Sequence, residues 1–179
     1  MKRERNISFL PTIGRFPVAI AKIKGSNWFP DIMGKVSFFK MENGTFVFAQ
    51  VDGLPDINTR DTVIKDELNP CFLNPVFGFQ VHSGSSCTGT GQNPFANAGL
   101  HYNPLECEHP HHAGDMPPLF GNRGYALSAF FTERFHPRDI IGHTVIIHAN
   151  PDDFTTQPSG NSGDILACGE IVENYSKST

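Results

Sequence analysis

Residues 44–55 read GTFVFAQVDGLP, a short and mostly apolar run closed by Gly and Pro, which predicts a β-strand. The same character recurs in segments 17–25 PVAIAKIKG, 34–42 GKVSFFKME, 75–83 PVFGFQVHS, 124–133 GYALSAFFTE, 139–150 DIIGHTVIIHAN and 164–173 DILACGEIVE. No stretch of ten or more residues carries a capped helical pattern. The sequence therefore predicts an all-β protein of seven or eight short strands, arranged as a sandwich or a flattened Greek-key barrel.

Length and charge restrict the class of protein. The 179 residues suit a single domain spanning 1–179, and the formal net charge of -4 leaves no basic surface for nucleic acid or an anionic membrane. No segment approaches the roughly 20 apolar residues that span a bilayer. The basic start, MKRERNISFLPTIGRF, is interrupted by Pro11 and Gly14 before its apolar stretch reaches signal-peptide length. We therefore expect a cytoplasmic protein that acts on neither nucleic acids nor membranes.

Two long loops separate the predicted strands, roughly residues 83–119 and 149–163. Loops beyond about 15 residues usually carry function. Residues 101–115 of the first loop read HYNPLECEHPHHAGD and contain His101, His109, His112 and Asp115. Three imidazoles and one carboxylate form the donor set that zinc prefers, and Pro and Gly allow ligands so close in sequence to converge on one ion. We interpret this loop as a zinc site.

Two histidines outside this loop indicate a second metal site. His82 ends the run GFQVH and His148 lies in HTVIIHAN, both within predicted strands. Imidazole also suits copper, so these two histidines are candidate copper ligands. On the residues alone the alternative, two histidines buried in a strand core, stays open. The remaining histidines, His111, His136 and His143, are assigned no role.

The cysteines allow two interpretations. Cys71, Cys87, Cys107 and Cys168 form no CxxC pair, so a structural zinc finger is not supported. A disulfide between Cys87 and Cys168 would close 81 positions of chain and contribute about 4 to 5 kcal/mol on the loop-entropy model. Such a bond is unusual in the cytosol, so a pair of reduced, buried thiols is the alternative. Cys107 is either a bystander in the metal loop or a soft ligand.

Several motifs together resemble the copper/zinc superoxide dismutase family. They are GFQVH (78–82), AGLHYNP (98–104), GDMP (114–117), IGHTVIIHANPDD (141–153) and GDILACGEI (163–171). They occur in the family's order and at compatible spacings, and the resemblance covers about residues 20–175. It implies an eight-stranded Greek-key β-barrel in which a zinc subloop and an electrostatic loop flank the metals.

The resemblance also implies a role for each candidate residue. His101 would bridge copper and zinc and act in catalysis. The implied zinc ligands are His101, His109, His112 and Asp115. The implied copper ligands are His82, His101, His148 and, where the family has a further histidine, Gln80. Asp152 matches the carboxylate that joins a copper-side ligand to a zinc-side ligand, and Cys87 and Cys168 match the family's intrasubunit disulfide.

Two residues depart from the family's pattern. Gln80 offers a carboxamide in place of an imidazole, a weaker and harder ligand that suits Cu(I) poorly. Ile165 stands where the family has an arginine that attracts superoxide, and segment 148–169 contains no Lys or Arg. Because a steered enzyme concentrates positive potential at the mouth of its site, we expect weak steering of the superoxide anion here.

These departures leave three functions open. The first is a slow superoxide dismutase with an altered copper site. The second is a dismutase-like zinc protein without redox turnover, and the third is a protein that binds or donates copper. The resemblance also implies an antioxidant role, a homodimer, superoxide as the substrate and a copper chaperone as a partner.

Overall fold

The computed structural model describes residues 16–56 and 75–175, and within these ranges the regular structure is almost entirely β. The strands are β1 Ala19–Gly25, β2 Met33–Met41, β3 Gly44–Asp52, β4 Val76–Phe77, β5 Phe79–His82, β6 Leu119–Phe120, β7 Ala126–Thr132, β8 Thr144–His148 and β9 Ile165–Glu173. One 3₁₀ turn, Ala96–Ala98, lies in the first long loop. The predicted all-β class and the two long loops are confirmed.

Seven of these strands form one curled antiparallel sheet in the order β5-β8-β9-β1-β2-β3-β7. The short strands β4 and β6 pair as a separate ribbon. The chain leaves β3 near one edge of the sheet and re-enters at β5 on the opposite edge. These crossovers and the curl agree with the predicted sandwich or barrel arrangement.

The period-2 alternation of the strands sets which side chains enter the core. On β1 the alternate residues Ala19, Ala21 and Ile23 are buried in the central apolar cluster, whereas Lys22 and Lys24 are exposed. The largest fully buried side chains include Phe38, Phe79, Leu119, Ile140 and Ile147. Interdigitated packing of this kind holds the sheet curled around one core.

Strand β5 buries both of its faces, which is what positions the candidate metal ligands. Phe79 and Val81 join the central apolar cluster. Gln80 and His82 point to the opposite face and are nevertheless buried. The long loop covers that face, and isolated bridges pair Gln80 with Asp115 and His82 with His101. The fold therefore gives this strand one apolar side and one polar side, both shielded from water.

A disulfide joins Cys87 in the first long loop to Cys168 on β9, with 81 positions between them. The predicted pairing is confirmed. Cys168 packs in a second apolar cluster with Phe95, Ala98 and Ile146, and the partly buried Ile165 lies against it. The crosslink therefore anchors the loop that carries the candidate zinc residues to the sheet.

Within the described ranges, no helix is long and apolar enough to cross a membrane. Residues 1–15 lie outside those ranges. The expectation that the chain has no export signal, which depended on Pro11 and Gly14, therefore stays a prediction. Cys71 lies outside the described ranges as well. The cytoplasmic location and the single domain of residues 1–179 stay predictions.

Candidate metal centre

Four residues of the first loop meet in a buried cluster. Ligand atoms of His101, His109, His112 and Asp115 all lie within 4.8 Å of one another. The Nδ1 atoms of the three rings face the Asp115 carboxylate: His101 Nδ1 lies 2.7 Å from Oδ1, His109 Nδ1 3.3 Å from Oδ2 and His112 Nδ1 3.5 Å from Oδ1. Three imidazole nitrogens and a carboxylate thus converge on one point.

Local hydrogen bonds set this convergence. His112 and Asp115 close a tight turn, because His112 N donates to Asp115 Oδ2 at 3.0 Å and Asp115 N donates to His112 O at 3.2 Å. The backbone of His109 is held by Gln157 of the second long loop, which accepts from His109 N at 3.1 Å and donates to His109 O at 2.7 Å. The two long loops are therefore joined at this cluster.

The charge state of Asp115 follows from its neighbours. Burial by itself raises the pKa of this carboxyl, but the hydrogen bond with His101 and the charges of the three histidines outweigh it, and the pKa lies below its usual value. Asp115 is therefore an anion at neutral pH. A buried anion facing three imidazole nitrogens matches the donor set of a divalent cation such as zinc.

A second cluster contains His82, His101 and His148. His82 Nε2 lies 3.3 Å from His148 Nε2. The Nδ1 atoms of these two rings face backbone carbonyls, Gly99 O at 2.9 Å and Gly163 O at 3.0 Å. Because a carbonyl only accepts hydrogen bonds, Nδ1 carries the hydrogen and the Nε2 lone pairs point into the cluster.

Burial keeps both of these rings uncharged. It lowers the pKa of His82 to about 3, with further lowering from the charges of His148 and His101. Burial also lowers the pKa of His148 to about 4. A neutral imidazole is the form that binds metal, so both rings are ready to ligate at neutral pH.

His101 belongs to both clusters. Its Nδ1 faces Asp115, while its Nε2 is buried without a hydrogen-bond partner. His109 is arranged similarly: its Nε2 donates to Asp152 Oδ1 at 2.8 Å, which leaves Nδ1 as a buried, unpaired lone pair. A buried polar atom without a partner costs about 1 to 3 kcal/mol, and a bound cation would remove that cost. The residues present thus fit a metal on each side of His101.

Asp152 connects the two clusters. Besides accepting from His109, it accepts from Gln80 Nε2 through Oδ2 at 3.1 Å. The other amide atom of Gln80, Oε1, is buried without a partner. Gly160 allows this approach, since at its φ of 65° a side chain is disfavoured and a Cβ there would collide with Asp152 Oδ1.

The sequence of this chain was compared with models of known protein families. Residues 33–171, more than half of the chain, match the model of the family described as copper/zinc superoxide dismutase. The chain belongs to the copper/zinc superoxide dismutase family. The resemblance drawn from the sequence motifs is thereby confirmed.

Individual relatives of this family have diverged from the chain. It is 28% identical over 157 residues to superoxide dismutase Cu-Zn 2 of Aquifex aeolicus, a match covering 79% of this chain and 80% of the relative. It is 35% identical over 115 residues to superoxide dismutase-like protein YojM of Bacillus subtilis, covering 56% and 57%. It is 34% identical over 110 residues to superoxide dismutase Cu-Zn of Deinococcus radiodurans, covering 51% and 60%. The last two matches span less than two thirds of those relatives.

The structure thus brings every sequence-predicted ligand into or beside one of two adjoining clusters. Ile165, at the position where the resemblance expects arginine, is partly buried and packs against the second apolar cluster. Cys107 belongs to neither cluster. Sequence reasoning missed Gly160, which makes room for Asp152, and Arg134, whose side chain contacts the first loop. A glycine in a glycine-rich loop and an arginine after a strand carry no signal in a single sequence.

Proposed function

We propose that this protein is a metal-binding member of its family that dismutes superoxide slowly. Zinc would be held by His101, His109, His112 and Asp115, and copper by His82, His101 and His148, with Gln80 beside them. The observation that carries the proposal is the shared ring of His101, whose Nδ1 faces the carboxylate of one cluster while its buried Nε2 faces the other without a partner.

The chemistry requires an electron carrier and a proton carrier. Two superoxide anions and two protons give one molecule each of oxygen and hydrogen peroxide. Copper, when bound, exchanges one electron at a time with superoxide. His101 supplies the proton-carrying atom, since its buried Nε2 can hold a proton and release it while Nδ1 keeps the ring fixed on the zinc side. His82 and His148 stay neutral and oriented through their carbonyl contacts.

Two features argue for slow turnover. Gln80 uses its amide hydrogen to bind Asp152, so only a carboxamide oxygen is left for a metal where the family supplies an imidazole. Ile165 presents an apolar side chain, and the second long loop carries the exposed Asp153 and Asp164 but no Lys or Arg. Loss of a guanidinium that binds the anion would cost on the order of 1.5 to 3 kcal/mol, or roughly one to two decades of rate.

A second function is favoured by the same two residues. With Gln80 held by Asp152 and Ile165 in an apolar cluster, the chain would be a zinc protein without redox turnover, or a protein that binds and donates copper. The pair of Nε2 atoms of His82 and His148 suits Cu(I), which tolerates two imidazole ligands. The Bacillus subtilis relative is likewise named as dismutase-like. The homodimer and the copper chaperone also stay proposals from the family resemblance.

Metal content and superoxide decay measured on one sample test these functions. The metal-free protein is dialysed with equimolar Cu(II) and Zn(II), its metal content is found by elemental analysis, and decay is followed by pulse radiolysis. We expect one zinc and one copper per chain and a decay rate proportional to bound copper. Zinc alone, with decay no faster than in buffer, would contradict dismutation and support the second function.

The variant Gln80→His refines this experiment. It restores an imidazole at the one copper-side position where the chain departs from its family, so copper binding should tighten and the decay rate per copper should rise. Gln80→Asn is the matched control, because it keeps a carboxamide on a shorter side chain. Equal rates for the parent and Gln80→His would show that Gln80 does not limit the reaction.

A further inference from the structure

Arg134 lies just beyond the end of β7 and reaches across to the first long loop. Its Nη1 donates to three backbone carbonyls, Pro110 O at 3.0 Å, His112 O at 3.1 Å and Asp115 O at 3.4 Å. Its own backbone N donates to Thr132 Oγ1 at 3.2 Å, which fixes the start of the turn. One guanidinium nitrogen therefore holds a segment of six residues, 110–115.

This segment contains two of the four residues of the zinc cluster. Arg134 contacts the backbone carbonyls of both residues, His112 O and Asp115 O. Fixing these carbonyls fixes the backbone from which the two ligand side chains extend. His112 O also accepts from Asp115 N, so the Arg134 contact acts on the same turn that brings His112 and Asp115 together. The segment lies outside the strands, and its C-terminal end is held from one side by β5, where Val81 N donates to Gly114 O at 2.9 Å, and by Gly114 N, which donates to Tyr102 O at 2.8 Å. Arg134 adds contacts along the rest of the segment, at Pro110 and His112.

We propose that Arg134 is a positioning residue for the zinc cluster, holding residues 110–115 in the metal-binding arrangement before the metal arrives. The inference rests on the proposed function, because it takes zinc as the ion bound by the cluster. Arginine suits this role, since its planar guanidinium is always charged and presents donors in a fixed geometry. Holding ligands in place before binding removes an ordering cost that the metal would otherwise have to offset.

The charge of Arg134 acts in the opposite direction. A guanidinium repels a nearby divalent cation, so charge alone predicts that removing Arg134 would tighten zinc binding. Arg134 is exposed, and solvent and salt screen this repulsion. Two of the three carbonyl contacts, to Pro110 O at 3.0 Å and His112 O at 3.1 Å, are direct hydrogen bonds from a charged donor, so we expect the geometric effect to be the larger one. The sign of the change in zinc affinity therefore distinguishes positioning from electrostatics.

Zinc affinity of Arg134 variants tests the inference, measured by competition with a chromophoric chelator. Arg134→Ala should weaken zinc binding by about 10- to 100-fold, the usual effect of removing a group that orients metal ligands. Arg134→Lys keeps the charge, but its ammonium nitrogen sits on a shorter side chain than Nη1, so it should recover only part of the affinity. The matched control is Arg138→Ala, which removes another exposed positive charge from the same connection and should leave zinc affinity unchanged.

A second measurement uses the metal-free protein and does not depend on zinc. Backbone amides of residues 111–115 should exchange with deuterium faster in Arg134→Ala than in the parent, while amides of β1 and β9 should not change. A purely structural role would instead lower the unfolding temperature of the metal-free protein and speed exchange throughout the sheet. If Arg134→Ala fails to fold, zinc affinity and amide exchange are both measured on Arg134→Lys instead.

The outcomes separate the two proposals. A parent that binds zinc, with Arg134→Ala binding it equally or more tightly, overturns the positioning role and leaves the proposed function standing. A parent that binds no zinc overturns the proposed function, and the positioning role is rejected with it. Weaker binding in both Arg134 variants, with Arg138→Ala unchanged and faster exchange confined to residues 111–115, supports the inference.

Discussion

Gln80 Nε2 donates to Asp152 Oδ2 at 3.1 Å, with both side chains buried. The bond ties the residue that stands where the resemblance expects a histidine to the carboxylate that also accepts from His109 Nε2 at 2.8 Å. Asp152 therefore holds one ligand of the first cluster and Gln80, which neighbours His82 of the second cluster on β5. We therefore expect a change at Gln80 to alter the orientation of His109 through this carboxylate.

Asp152→Asn should weaken zinc binding by about 10- to 100-fold, because its amide places a donor where His109 Nε2 or Gln80 Nε2 now donates. Chelator competition measures the change. Asp31→Asn, at an exposed carboxylate between β1 and β2, serves as the control and should bind zinc like the parent. Unchanged affinity in Asp152→Asn would mean that His109 is oriented by its backbone contacts with Gln157 alone.

Gly160→Ala should have an effect similar to that of Asp152→Asn without altering any polar group. The added methyl collides with the Asp152 carboxylate, and the φ of 65° is disfavoured for alanine. We expect weaker zinc binding and a shifted ring resonance of His109 by NMR. Gly142→Ala provides the control, since that glycine also has a positive φ of 87° but has open space around its Cβ position. Equal losses in both variants would point to backbone strain rather than to Asp152.

Ile165→Arg should accelerate superoxide decay of the copper-loaded protein by roughly one to two decades. It should also introduce a decrease in rate with rising ionic strength, whereas the parent should show little or none, because salt screens attraction of the anion. Pulse radiolysis over a salt series measures both effects. Ile165→Gln, which is polar but uncharged, is the control, and an equal gain in that variant would argue against electrostatics.

Replacing Cys87 and Cys168 by serine should lower the free energy of unfolding by about 2 to 5 kcal/mol, because the disulfide closes a long segment of chain. Urea unfolding of the metal-free protein gives the value. Cys107→Ser removes the free, partly exposed thiol and should leave stability nearly unchanged. Equal stability of the double variant and the parent would mean that packing of the second apolar cluster alone anchors the loop.

The stability of the metal-free protein should fall as the pH drops from about 6.5 towards 4. The pKa values of His82 and His148 are lowered by burial to about 3 and about 4, so in this range the unfolded chain binds protons that the folded chain does not. Each ring contributes at most about 1.4 kcal/mol per pH unit. Urea unfolding between pH 7.5 and 4.5 tests this, and His148→Gln should flatten the dependence. A pH-independent midpoint would contradict it.

Several structural features were predictable from the residues. The short apolar runs predicted the strands, and the family's motifs predicted the Cys87–Cys168 bond, which the structure contains. The loop around His101 was expected to gather ligands, and those side chains do lie together. The contacts of Arg134 were not predictable, because it binds backbone carbonyls, which every residue has. Gly160 was missed because its role depends on the position of Asp152 in space.

The sequence by itself determined the donor chemistry: imidazoles, carboxylates, one carboxamide and a pair of thiols, carried on strands whose apolar alternation fixes the fold class. Only the tertiary structure decided which nitrogen of each ring faces which cluster. That choice depends on partners supplied by distant segments, Gly99 for His82, Gly163 for His148 and Asp152 for His109. The hydrogen bond made by one nitrogen of an imidazole ring decides whether the other nitrogen carries a hydrogen or a free lone pair. The partners that make these hydrogen bonds become neighbours of the rings only when the two long loops fold over β5.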